Sequence, residues 1–360
     1  MKLKLLNPGP VTLTERVRSA LNRPDLCHRE VEFAEMTLDI KKQILNIYDE
    51  TQQDYEAILL TGSGTSAVEA MVDSFVPEET KALVISNGVY GERIATMLKR
   101  QKKKYKTICS KWADTMNLEK VEHVLREDEQ ISYVISVHHE TTTGRLNDLA
   151  ALAQICKKHN KKLLLDAVSS FAGELIEFKK WNISALAATA NKCLHGVPGI
   201  SFVVAHKELL EQKSSNSTSV YLDLFSYYKH QKNGFSPYTQ SVQVMYALQE
   251  ALAELHETGG WKKRHSQYLH RSEIIRNGLL DLNYTLLIEN IKDHSCVLTA
   301  YNLPENLEYS AVHKTLKENG YIIYAGQGNF AKKIFRISTM GNLTDDDLRK
   351  IIQSFKIMRN

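Results

Sequence analysis

The sequence predicts an α/β fold: a mostly parallel sheet with helices on both faces, followed by a smaller α+β unit. Three observations carry this. Strand-length apolar runs alternate with helix-period segments. The runs are too uniformly apolar to have a wet face, as in sheets covered on both sides. The alternation breaks after Gly259-Gly260, beyond which strands and helices follow another rhythm. The chain has 360 residues, 43% hydrophobic and 24% charged, which suits one large and one smaller domain and excludes a peptide module, a disulfide miniprotein or a disordered chain. The expected boundary divides the chain into 1–258 and 259–360, with the first 15 or so residues free to pack on the second unit.

Each element follows from local pattern. After Asn7-Pro8-Gly9-Pro10, Thr12 with Glu15 makes a capping box ahead of an amphipathic stretch, Arg16 to Leu21. Strands are expected at Ala57 to Leu60, Ala82 to Ile85, Tyr133 to Val137, Leu163 to Leu165, Leu186 to Ala188 and Ser201 to Val204. Leu118 to Leu125 and Leu149 to Cys156 are among the intervening helices. A long helix, Gln240 to His256, ends at the glycine pair. Strand Cys296 to Ala300, helix Ser310 to Glu318, strands Tyr321 to Tyr324 and Ile334 to Ile337, and a helix from Thr344 complete the second unit.

The net charge is only +4, which does not imply nucleic acid. The single basic run, Lys99-Arg100-Gln101-Lys102-Lys103-Lys104, reads as a solvated helix end, since it lacks interleaved aromatics. Five cysteines and 13 histidines show neither a CxxC pair nor metal-ligand spacing, so no metal is expected and a reducing cytoplasm fits. The N-terminal apolar stretch is cut short by Asn7-Pro8, and no run approaches the ~20 residues of a membrane span, so neither secretion nor insertion is expected.

Four loops could carry chemistry, and each sits where open α/β sheets keep their ligands. Thr61-Gly62-Ser63-Gly64-Thr65-Ser66-Ala67 follows a strand and opens a helix. Glycines, hydroxyls and free helix N–H groups make it a phosphate cradle; a plain tight turn is the alternative. The spacing Gly62-x-Gly64-x-x-Ala67 also satisfies a loose dinucleotide fingerprint, but the next strand ends Ile85-Ser86-Asn87-Gly88 without the acidic residue that would hold a ribose. Asp166, at the end of an apolar strand, is costly there without a cation, whether structural or chemical. Lys192, in Ala190-Asn191-Lys192-Cys193, is by itself as compatible with a snorkelling surface residue. Together, one lysine, one acid and one phosphate cradle at strand ends suit a Schiff-base cofactor, which needs an amine for its aldehyde and a carboxylate for its ring nitrogen. In His138-His139-Glu140-Thr141-Thr142-Thr143-Gly144, adjacent strand-end residues face opposite ways, which argues against a metal and for hydroxyls and backbone near a ring.

These motifs, with Ser86-Asn87-Gly88-Val89-Tyr90-Gly91-Glu92-Arg93 and Gly196-Val197-Pro198-Gly199, resemble the class V pyridoxal-phosphate aminotransferases, in order from Asn7 to Phe335-Arg336-Ile337. The resemblance is closest to the branch that uses 2-aminoethylphosphonate and pyruvate. It implies fold type I of the pyridoxal-phosphate enzymes, pyridoxal 5'-phosphate as cofactor, and a ping-pong transaminase. It further implies that Lys192 carries the cofactor as a Schiff base and shuttles a proton, that Asp166 pairs with the ring nitrogen, and that Ser63, Gly64 and Thr65 hold the phosphate. Tyr90 would lie on the ring face, Thr141 near the phenolic oxygen, and Arg336 on the anionic end of the substrate. Ser236-Pro237 matches the pair that reaches across from a neighbouring subunit, which implies a homodimer with shared sites. Small-molecule amino donors and 2-oxo acids are the expected partners, with no nucleic acid or membrane. An alanine or serine–glyoxylate transaminase, whose arginine would bind a carboxylate, is the alternative. A cysteine desulfurase-type lyase is a third reading, and neither Cys193 nor Cys296 suits it. The chain departs from the family pattern at Ser338-Thr339-Met340-Gly341 and at Asp25 to Glu30, where Arg29 is either a second substrate cation or a partner of Glu30 or Glu32.

Overall fold

The computed structural model describes residues 3–211 and 215–358. Seven strands form the central sheet: β1 (Tyr55–Gly62), β2 (Lys81–Ser86), β3 (Lys104–Cys109), β4 (Ile131–Val137), β5 (Lys162–Asp166), β6 (Ile183–Thr189) and β7 (Gly199–His206). Their order is β1-β7-β6-β5-β4-β2-β3. The pairs β2–β3, β2–β4, β4–β5 and β5–β6 are parallel, whereas β7 runs antiparallel to both β1 and β6. The reversal is invisible in composition, because Ser201 to Ala205 is as buried as its parallel neighbours. β3 is an edge strand in which Lys104, Lys106 and Cys109 are exposed and only Ile108 is fully buried, so its apolar content is thin.

Two apolar layers sandwich this sheet. One is built on Leu59, Leu83, Val134 and Leu165 with the helix Val31–Leu45; the other on Ile58, Val84, Ile135 and Leu164 with the helix Gly64–Phe75. Consecutive strand residues thus face opposite layers, and both faces are dry.

Beyond the long helix Val242–Glu257, Gly259 adopts φ 98°, a left-handed turn suited to glycine, and a second long helix, Gly260–Asp281, follows at once. A three-stranded antiparallel sheet of Leu298–Asn302, Ile334–Ser338 and Tyr324–Ala325 lies under the helices Tyr309–Glu318 and Asp345–Ile357. Its core, with Leu279, Tyr301, Phe335 and Phe355, also takes in Leu6. The stretch expected as one strand, Tyr321 to Tyr324, is split: Tyr321–Ile322 pairs parallel with Lys4–Leu5, and Tyr324–Ala325 joins the other sheet.

Two local expectations fail. The first helix, Glu15–Ser19, is capped by Thr14, whose hydroxyl accepts from Val17 N, while Thr12 is engaged by Leu5 N at 2.7 Å. The basic run is not uniformly solvated either. Lys103 is buried, and its ammonium donates to the carbonyls of Val76 at 2.6 Å and Asn216 at 2.8 Å. Among the described residues, no helix is long and apolar enough to cross a membrane.

Candidate active site

The site collects at the ends of β1, β4, β5 and β6. Lys192 lies in the turn after β6 and points back toward the N-terminal segment. Its Nζ donates to Pro8 O, and a Cβ on Gly9 would lie only 2.6 Å from Lys192 Cδ, so the N-terminal glycine is what lets the chain lie against the lysine stem. Burial lowers the Lys192 ammonium to about 8, with Arg336 and Arg93 adding to the effect and the Asp166 carboxylate opposing it. An appreciable neutral fraction near neutral pH makes this amine a nucleophile.

Asp166 ends β5 and is 6% exposed. One carboxylate oxygen accepts from Val168 N at 3.0 Å, and no ion pair reaches it among the described residues. Burial therefore raises its pKa to about 6, against the pull of that backbone N–H, Lys192 and Arg93. A buried carboxylate in this state calls for a cationic hydrogen-bond donor.

The turn after β1 places Ser63 at the N-cap of the helix Gly64–Phe75, with no side-chain cap hydrogen bond. The first-turn amides of Gly64 and Thr65 therefore remain for an anion. A Cβ on Gly64 would lie 2.6 Å from Val168 Cγ1, so only glycine allows the cradle to approach the segment after Asp166. A small cavity joins Gly64, Thr65, Tyr90, Arg93, Asp166 and Val168.

Glu140 organises the fourth loop. Its Oε2 accepts from Tyr90 N at 3.2 Å, at the start of the helix Val89–Arg100, and its Oε1 accepts from the Thr142 amide at 3.1 Å and the Thr142 hydroxyl. Gly88 leaves room for the carboxyl, because a Cβ there would fall 2.3 Å from Glu140 Cδ. Burial raises Glu140 to about 7, opposed by the Thr142 hydrogen bonds.

Arg336 comes from the smaller sheet and is 1% exposed. Nε and Nη2 donate to Ala325 O at 3.0 and 2.7 Å, and Nη1 donates to Thr141 O at 2.8 Å. Three of its five N–H groups are used, which leaves one on each terminal nitrogen. The bond to Thr141 brings the arginine to the loop that also seats Tyr90.

Eight of the nine residues singled out from sequence thus converge. Ser236 does not line that cavity: its hydroxyl accepts from Gln240 Nε2 at 2.8 Å, and Gln240 Oε1 in turn accepts from Thr61 Oγ1 at 3.1 Å, behind the cradle loop. Arg29 pairs with neither Glu30 nor Glu32; its Nη1 donates to Ser236 O at 2.9 Å, a correction that puts it on the Ser236-Pro237 loop. Sequence reasoning missed several neighbours. Arg93 lies 4.7 Å from the Tyr90 ring centroid and donates to Thr65 Oγ1 at 3.3 Å. His139 is buried with Nε2 lacking any protein partner. Arg93 stands in a quoted motif three residues after Tyr90, the helical spacing that puts both on one face. Cys193 is buried and pushed up to about 12 by that burial, opposite to what a reactive thiol needs.

The class-V aminotransferase model matches residues 14–350. The chain belongs to the class-V aminotransferase family. This aminotransferase is 32% identical over 353 residues to 2-aminoethylphosphonate–pyruvate transaminase of Bacillus mycoides (strain KBAB4), covering 97% of this chain and 96% of that one. It is also 32% identical to a bifunctional phosphonoacetaldehyde hydrolase/aminoethylphosphonate transaminase of Clostridioides difficile (strain 630), covering 96% of this chain and 55% of that protein. Among solved structures, it overlays with TM-score 0.90 on an aspartate aminotransferase of subgroup IV from Thermus thermophilus, at 27% identity and 99% of each chain. It overlays with TM-score 0.92 on an alanine–glyoxylate aminotransferase from Nostoc sp., at 23% identity, covering 100% of this chain and 96% of that one, a likeness of fold. The aminotransferase therefore has the fold type I architecture implied by its motifs.

Proposed function

We propose that this aminotransferase uses pyridoxal 5'-phosphate to convert 2-aminoethylphosphonate and pyruvate into phosphonoacetaldehyde and L-alanine. The observation that carries the reading is one desolvated amine, one unpaired buried carboxylate and one anchored guanidinium around a helix N-terminus, in a chain whose full-length relatives bear that activity's name. The donor set suits the cofactor: Asp166 lacks a cation, the Gly64 cradle has no room for a Cβ, and Lys192 is the amine beside both.

When bound, pyridoxal phosphate supplies the aldehyde that takes up the amino group and the ring that drains electrons from the carbon losing its proton. Lys192 Nζ would hold the cofactor and, once freed, would serve as the base that moves the substrate proton. Asp166, ionised above its pKa, keeps a proton on the ring nitrogen. The amides of Gly64 and Thr65 and the hydroxyls of Ser63 and Thr65 grip the phosphate. Tyr90 would cover the ring, Thr141 would stand by its phenolic oxygen, and the two remaining N–H groups of Arg336 would take two oxygens of the substrate anion.

The active unit is a homodimer in which Ser236 of one protomer reaches the phosphate site of the other. Support lies beside that loop: Tyr238 donates to Val220 O at 2.6 Å, and Val220 is 82% exposed, an apolar spot for a second copy to cover. Residues 1–258 and 259–360 are the two domains, in keeping with the separate core of the smaller sheet. Five free thiols suit a reducing cytoplasm.

The test is a panel of amino donors with pyruvate, scored for alanine. 2-Aminoethylphosphonate should exceed serine at least tenfold; the reverse order, or a tenfold advantage for serine or alanine with glyoxylate, replaces the phosphonate by a carboxylate substrate.

A further inference from the structure

Away from Lys192, three potential metal ligands meet from distant parts of the chain. Glu174 stands in the turns after β5, His265 on the helix Gly260–Asp281, and Cys296 just before the strand Leu298–Asn302. Their ligand atoms all lie within 4.8 Å of one another. Glu174 Oε2 is 3.5 Å from His265 Nδ1, and Cys296 Sγ is 3.4 Å from the same nitrogen. Zinc bonds of about 2.0–2.3 Å at tetrahedral angles put ligand atoms roughly 3.3–3.6 Å apart, so two of the three edges are already at length.

The surroundings orient the donors. Ser295 Oγ and Cys296 N donate to Glu174 Oε1 at 2.6 and 2.8 Å, which fixes the carboxylate and turns Oε2 toward the imidazole. Glu174 and Cys296 are buried, yet no lysine or arginine pairs with Glu174 among the described residues. A cavity of about 850 Å³, lined by Glu174, His265, His138 and Asp293, opens beside them and provides a route in and water for a fourth position.

The geometry points to a second site in this enzyme: Glu174, His265 and Cys296 bind one divalent cation of the zinc class, with water from the cavity as fourth ligand. Thiolate, imidazole and carboxylate together select zinc or cobalt over magnesium or calcium, which take oxygen ligands. His265 Nδ1 and Gly173 O are 2.8 Å apart, too close for a cation between them, so metal binding breaks that hydrogen bond, turns the Gly173 carbonyl aside and moves the imidazole proton to Nε2; the Cys296 thiol proton leaves to solvent. The site is structural in position. Gly173 packs on Cys193, the neighbour of Lys192, since a Cβ there would lie 2.6 Å from Cys193 Sγ.

Cobalt(II) is the probe, because a thiolate ligand gives it a charge-transfer band. Tag-free holoenzyme, stripped with chelator, is titrated with cobalt and read as a difference spectrum against the metal-free holoenzyme. One equivalent per chain with a thiolate band, displaced by zinc and accompanied by a higher melting temperature, is the expected result. Cys296→Ser should abolish the band, and Glu174→Gln should weaken binding on the order of 100-fold. The double variant Cys27→Ser/Cys109→Ser, which removes the exposed thiols, should bind as the wild type does. No saturable band in the wild type, or a band lost with the exposed cysteines instead of Cys296, overturns the assignment and leaves the cluster an imidazole–carboxylate pair.

Discussion

Replacing Arg336 by Lys keeps the charge and removes the fork, and the structure sets how much that should cost. The guanidinium holds Ala325 O with two N–H groups and Thr141 O with a third, leaving one on each terminal nitrogen for the substrate. An ammonium has three N–H groups in all. If it keeps one bond to each carbonyl, a single donor remains, and one of two charge-assisted bonds to the anion is lost. A hydrogen bond to a charged group is worth about 1.5–3 kcal/mol, so kcat/KM for 2-aminoethylphosphonate should fall roughly tenfold to a hundredfold. Steady-state pyruvate consumption measures this, with cofactor absorbance and far-UV circular dichroism confirming that Arg336→Lys is folded and loaded. A folded, loaded Arg336→Lys within twofold of wild type would refute the claim that this arginine grips the substrate. An equal loss in cofactor affinity would instead assign its bonds to holding the Thr141 loop.

Other outcomes follow from the same geometry. Lys192→Ala should abolish turnover and the covalent cofactor linkage; borohydride reduction with peptide mapping checks it, and an adduct on another lysine would overturn the role. Asp166→Asn should retain the fold and bind cofactor while kcat drops by orders of magnitude. In the cofactor-free protein the same change should stabilise. Folding raises Asp166 from 3.8 to about 6 by burial, so the wild type loses stability as pH rises through that window. The advantage of Asn, read by denaturant titration, should grow from pH 4 to 6 toward roughly 3 kcal/mol and vanish at pH 3. Gly64→Ala forces a methyl to within 2.6 Å of Val168 Cγ1; about 1–3 kcal/mol of stability and much of the cofactor affinity should go with it, read by thermal melts and cofactor titration.

The sequence makes the sheet and its chemistry legible to different depths. The strands β1, β2, β4, β5, β6 and β7 stand out because each is an apolar run, yet direction leaves no mark on composition, so the antiparallel β7 is not foreseeable from its residues. The helix Gly260–Asp281 hides because its inward face reads Arg264, Tyr268, Ser272, Ile275 and Leu279, two of five being polar. In the site, Lys192, Asp166 and the Gly64 turn are local motifs and can be read in one dimension. The pairing of Glu140 with Tyr90, and of Arg336 with Thr141, joins positions 50 and 195 residues apart and exists only after folding. Glu174, His265 and Cys296 escape any spacing rule for the same reason.

The short ladder between Lys4–Leu5 and Tyr321–Ile322 has a consequence for Lys192. Three residues beyond that ladder, Pro8 and Gly9 lie against the side chain of Lys192. The leading segment is therefore a wall of the reaction chamber, held to the smaller unit by the paired residues, by the bond from Ser338 N to Leu6 O at 2.7 Å, by the burial of Leu6, and by Lys4 Nζ on Asn342 O at 2.6 Å. Whatever loosens Lys4–Leu5 from Tyr321–Ile322 therefore also loosens the backbone that lies on the lysine.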